Sequence, residues 1–125
     1  MSQHAVYTRF LTRPGQGKAL VEILLKANHI VSDADGCRLY IINQDMDNDD
    51  HIWVTELWDS QEDHAISLTL DGCKELVVEA SNLLTVPPDQ IILKAIAGKG
   101  VDDSAPYALF ISMKFQVMRI ITEIC

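Results

Sequence analysis

The segment from Cys37 to Trp58 reads CRLYIINQDMDNDDHIWVTELW, two runs rich in β-branched and aromatic residues that flank an acidic stretch from Asp45 to Asp50. Strand alternation in Cys37–Gln44 sends Leu39 and Ile41 to one side and Tyr40 and Ile42 to the other. In His51–Trp58, Ile52 and Val54 oppose Trp53 and Leu57. The two runs therefore read as an antiparallel hairpin that is apolar on both faces. A chain of 125 residues has helices enough to cover one of them, so the second face is expected to meet another subunit.

Before the hairpin, His4–Leu11 has strand composition and stops at Arg13-Pro14-Gly15-Gln16-Gly17, a cluster that breaks strands and opens helices. Leu20, Leu24, Ala27 and Val31 then recur at helical spacing, with Lys18, Glu22, Lys26 and His29 on the opposite stripe. This amphipathic helix ends near Ser32–Gly36, where the glycine can adopt a left-handed turn. After the hairpin, Ser60-Gln61-Glu62-Asp63 has the form of a hydroxyl-capped helix start. Cys73, Leu76, Val77, Ala80 and Leu84 give a further helical stripe, closed by Val86-Pro87-Pro88, and Gln90–Ile96 reads as a last strand.

The order strand, helix, strand, strand, helix, strand is the split βαβ plan of α+β ferredoxin-like folds. It assigns residues 1–100 to one domain and leaves 101–125 as a C-terminal extension. There Ile111, Met113, Phe115 and Val117 alternate as in a strand, while Ser112, Gln116, Arg119 and Glu123 also form a helical polar stripe. We read a strand followed by a helical turn, packed on the domain's own edge or on a neighbour.

Eighteen acidic and ten basic residues give a formal charge of −8, which repels phosphate backbones and anionic lipid surfaces. Nucleic acid and membrane are thus poor partners. Neither a signal peptide nor a spanning segment is readable, and three cysteines without a close pair suit a reducing cytoplasm. Asp45, Asp47, Asp49, Ile52 and Glu56 follow calcium-loop spacing, but Asp50 stands where that loop needs glycine and the flanks read as strands. His4, His29, His51 and His64 are scattered, so no dedicated metal is expected. No glycine-rich phosphate cradle is present in the sequence, and a nucleotide or flavin is not indicated.

The junction from Glu56 to His64 runs from a strand end into the first turn of a helix and brings Trp58 and His64 to the space between sheet and helices. An indole offers a flat apolar wall, and an imidazole titrating near neutrality can take a proton. The plainer alternative makes Trp58 core packing and His64 a solvated residue.

Thr8-Arg9-Phe10 leading into Pro14-Gly15, Asp35-Gly36-Cys37-Arg38-Leu39-Tyr40, and Glu56-Leu57-Trp58 followed by a helix with Glu62 and His64 together resemble the antibiotic biosynthesis monooxygenase (ABM) family. The resemblance spans about Val6 to Gly100. It implies ferredoxin-like protomers whose sheets pair into a dimeric α+β barrel, and a cofactor-independent monooxygenase acting on a small aromatic phenol or hydroquinone with dioxygen. An electron-rich phenolate can itself reduce dioxygen, so such a protein need only deprotonate, orient and desolvate it. By the same resemblance His64 and Trp58 are the catalytic candidates, with Trp58 lining the pocket, and Tyr40, Arg38, Thr8 and Glu56 are substrate-binding candidates. Tyr40 and Arg38 point to opposite faces of one strand, so at most one of them serves a given pocket.

Two departures from the family pattern stand out. Thr8 occupies the position of the asparagine found in haem-degrading relatives, and no histidine follows His64, which argues against haem. Ser67 stands where many members carry a second histidine. The competing class of function is a non-catalytic dimeric module that binds an apolar metabolite or supports assembly.

Overall fold

Residues 3–101 are described by the computed structural model of the chain. The extension expected from residue 101 onward lies, beyond Val101, outside the described residues. Strand β1 (Gln3–Leu11) leads into helix α1 (Gly17–Ser32), which is followed by the hairpin β2 (Cys37–Asp45) and β3 (Asn48–Trp58). Two shorter helices, α2 (Gln61–Ser67) and α3 (Cys73–Ser81), precede strand β4 (Asp89–Ala95). The sheet runs β2-β3-β1-β4 with antiparallel neighbours throughout, the α+β ferredoxin-like arrangement. Sequence reading gave every strand and α1. The order read from the sequence put one helix between β3 and β4; the structure has two, because the chain breaks after the capped start at Ser60 and begins again at Gly72, whose φ of +91° caps α3.

Register decides which side chains meet. His4 lies opposite Trp58, Val6 opposite Glu56, Thr8 opposite Val54 and Phe10 opposite Ile52. On the other flank of β3, Tyr40 lies opposite Glu56 and Ile42 opposite Val54. These residues share the helix-covered face, because strand side chains alternate and cross-strand partners stay together. Leu20, Leu24, Ile52, Val54, Ala80 and Leu84 form the main core cluster between sheet, α1 and α3. Each fully buried aliphatic side chain stabilises the fold by about 1.5–3 kcal/mol. The opposite face carries Tyr7, Leu39, Ile41, Ile91 and Leu93, all exposed.

The acidic stretch serves structure. Asp45 accepts a hydrogen bond from the Asp47 amide at 2.8 Å and shapes the hairpin turn. Asp50 reaches across to α1, where its carboxylate oxygens accept from the Gly15 and Gly17 amides, both at 3.0 Å. Helix α1 has no side-chain cap of its own, so Asp50 supplies from β3 the acceptor that its free N–H groups need. Those two amides hold the Asp50 carboxyl below its ordinary value. The approach requires glycine: a Cβ on Gly17 would lie 1.9 Å from the Asp49 carbonyl oxygen.

At the other end of the sheet, Arg38 makes a two-pronged ion pair with Asp59, at 2.7 and 2.9 Å. The predicted cap at α2 is present, with Ser60 Oγ accepting from the Asp63 amide at 3.1 Å. Among the described residues, no helix is long and apolar enough to cross a membrane.

Candidate functional site

A partly open cavity of about 390 Å3 lies between the sheet and the helices. Its floor takes Thr8 from β1, Tyr40 from β2, Glu56 from β3 and Gln90 from β4. Leu24 and Ala27 of α1 and Val77 and Ala80 of α3 give an apolar roof, while His64 and Ser67 of α2 close the polar end. The volume is in the range of small-molecule sites, about 300–1,000 Å3.

Glu56 organises the polar end. Trp58, two residues along the same strand and so on the same face, donates its indole N–H to Glu56 Oε1 at 3.1 Å. His64 Nε2 stands 3.7 Å from the same oxygen, and both side chains are largely buried. Burial raises the Glu56 carboxyl above its ordinary value, and the bond from Trp58 opposes that rise. The His64 imidazole is lowered by burial and then by His4. The two rings lie 5.3 Å apart, and the His64 ring is 5.4 Å from that of Trp58, the cross-strand partner of His4. The Tyr40 hydroxyl is held well above its usual range, chiefly by burial and then by the charge of Glu56.

This geometry gives each sequence-derived candidate a place. Thr8, Tyr40, Glu56 and His64 all line the cavity. Trp58 does not: its side chain is fully buried, behind the wall, and it reaches the cavity through Glu56. The expectation that it lines the pocket is thereby corrected, because its indole edge is committed to the carboxylate. Arg38 is also outside the lining, since it sits at the irregular start of β2 and pairs with Asp59.

Three further residues enter that sequence reading did not select. His4 comes beside His64 through its register opposite Trp58, and its Nε2 is buried without a hydrogen-bond partner among the described residues. Gln90 donates to Thr8 Oγ1 at 3.2 Å, tying the edge strand to β1 inside the cavity. Cys73 donates to the Ser67 carbonyl at 3.4 Å. Alternation along His4-Val6-Thr8 and Glu56-Trp58 was a readable signal for the shared face; the pairing register was not.

Chemically, the polar end combines a buried imidazole that favours its neutral form with a carboxylate close enough to stabilise the imidazolium created by proton uptake. Beside them the Tyr40 hydroxyl remains protonated and able to donate. Among the described residues no group of three His, Cys, Asp or Glu side chains forms a metal-binding cluster.

The family model for antibiotic biosynthesis monooxygenase matches residues 4–78. A solved structure from Chloroflexus aurantiacus J-10-fl, assigned by name to these monooxygenases, is 30% identical with a TM-score of 0.71, over 81% of this chain and 100% of that one. The structure of Rv0793 from Mycobacterium tuberculosis is 25% identical with a TM-score of 0.68, over 83% of this chain and 99% of that one. A conserved protein from Methanosarcina mazei Go1, 17% identical, has the same fold at a TM-score of 0.71, over 76% of this chain and 94% of that one. Comparison with curated proteins finds no match. The profile match over most of the domain, together with a 30% identical relative aligned along its whole length, makes this chain a member of the antibiotic biosynthesis monooxygenase family.

Proposed function

We propose that the protein is a monooxygenase of the ABM type that oxidises a small aromatic phenol or hydroquinone with dioxygen and without an added cofactor. The observation that carries this reading is the Glu56–His64 pair, 3.7 Å apart at the polar end of a cavity with an apolar roof. His64 takes the phenolic proton, Glu56 stabilises the imidazolium, and Tyr40 or Thr8 donates to the substrate oxygen. The phenolate, held under the apolar roof, then reacts with dioxygen. For a hydroquinone, one oxygen atom enters the ring as a new C–O bond and the other leaves as water. The substrate supplies all four electrons and ends as the hydroxyquinone.

The proposal includes a homodimer built on the open sheet face, since Leu39, Ile41, Ile91 and Leu93 form an apolar surface of the kind that a second copy would cover. It also includes a cytoplasmic location, where Cys37 and Cys73, both free thiols, stay reduced.

The test is oxygen uptake by metal-stripped protein with a panel of naphthohydroquinones and anthrones, with labelled dioxygen to follow the inserted atom. Uptake with one labelled oxygen in the product, falling by about 100-fold or more in His64→Ala, is the expected result. Tight binding without uptake across the panel would instead favour a non-catalytic binding module.

A further inference from the structure

Glu56 is the one carboxylate on the cavity lining, and no lysine or arginine lines it among the described residues. Arg38 is paired with Asp59; Lys94, opposite His4 on β4, shares the helix-covered face but is exposed and outside the lining, as are Lys26 and Lys74, which adjoin the lining residues Ala27 and Cys73. The titratable groups packed around Glu56 are Tyr40 and Cys37 from β2, His64 from α2 and Cys73 from α3, with His4 of β1 behind His64. Burial raises both thiols and the phenol, which keeps them uncharged at neutral pH.

Resting on the function proposed above, we infer that this cavity selects uncharged aromatic alcohols and excludes their carboxylated analogues, with Glu56 as the specificity-determining residue. An incoming carboxylate loses its water, finds no cation on the lining and meets the field of Glu56 through a poorly screened interior. A neutral ligand of the same outline meets none of these terms. Its hydroxyl has acceptors in Glu56 and His64 and a donor in Tyr40, while its rings lie under Leu24, Ala27 and Val77. Relief for an anion requires a proton on Glu56 or on His64, so the exclusion weakens as pH falls.

The experiment is anaerobic calorimetric titration of the full chain with 6-hydroxy-2-naphthamide and with 6-hydroxy-2-naphthoate, a pair of matched shape that differs in charge. At pH 8 the amide should bind about 30-fold or more tightly than the carboxylate. Glu56→Gln should narrow that gap about tenfold. In the unaltered protein the gap should also narrow between pH 8 and pH 6, where the ligand carboxylate remains ionised; this second measurement stands if the variant fails to fold. Equal affinities at pH 8, a gap indifferent to both Glu56→Gln and pH, or no binding of either compound would overturn the inference. Because no turnover is measured, loss of oxygenation alone refutes the monooxygenase reading and leaves charge selection intact, whereas equal affinities do the reverse.

Discussion

Replacing Trp58 by phenylalanine separates what the indole contributes by volume from what it contributes by its N–H. The side chain is fully buried, so shrinking it leaves a void that costs about 1–2 kcal/mol at any pH. The lost bond to Glu56 Oε1 is worth about 1.5–3 kcal/mol when the carboxyl is ionised and about 0.5–1.5 kcal/mol when it is protonated. The difference, about 1–1.5 kcal/mol, moves the folded Glu56 pKa up by about one unit. Since that pKa is already raised in the fold, the stability linked to Glu56 is full below its unfolded value and is lost as pH climbs through its folded value. The variant carries the folded value further up and so enlarges the loss. Trp58→Phe should therefore lower the unfolding free energy by about 2.5–5 kcal/mol near pH 8.5. The deficit should shrink by up to about 1–1.5 kcal/mol near pH 5.5. Urea unfolding followed by circular dichroism at fixed ionic strength reads both, in a range above the pI of about 4.7. A deficit that stays constant over this range would refute the reasoning, because it would reduce Trp58 to packing.

Gly17→Ala should destabilise the fold by about 2–4 kcal/mol in the same unfolding assay, through the clash with Asp49 and the weakened Asp50 cap. Gly15→Ala meets open space at φ +79° and should cost only about 1–2 kcal/mol. Oxygen uptake measured as kcat/KM from pH 8.5 down to 5.5 should fall with a midpoint below pH 6.5, since burial and then His4 hold His64 below its ordinary value. A midpoint above pH 7 would remove His64 from that role. Ile41→Glu, on the open sheet face, should convert a dimer into a monomer in sedimentation analysis; a monomer without the substitution would refute the dimer.

The strands were legible because β2 and β3 alternate two apolar sets, and α1 because Leu20, Leu24 and Val31 keep one face buried. The Ser60 cap was likewise written in the local sequence. What stayed hidden depends on contacts distant along the chain. Asp50 looked like part of a loop and became the cap of α1, 33 residues away from Gly17. His4 joins His64 only through the pairing of β1 with β3, and Gln90 reaches Thr8 across 82 residues. Of the candidate site, Thr8, Tyr40, Glu56 and His64 share one cavity because strand parity and the helix start were both readable. Trp58 was chosen for its ring, whereas its polar edge turned out to be what joins it to the others.

Gln90 sits on the edge strand, past residue 78 where the family match stops, yet it forms one corner of the cavity floor. The polar end with Glu56 and His64 and the corner with Gln90 are consequently encoded by separate stretches of chain. A change at Gln90 can therefore reshape the cavity floor while leaving residues 4–78, and with them the Glu56–His64 pair, as they are.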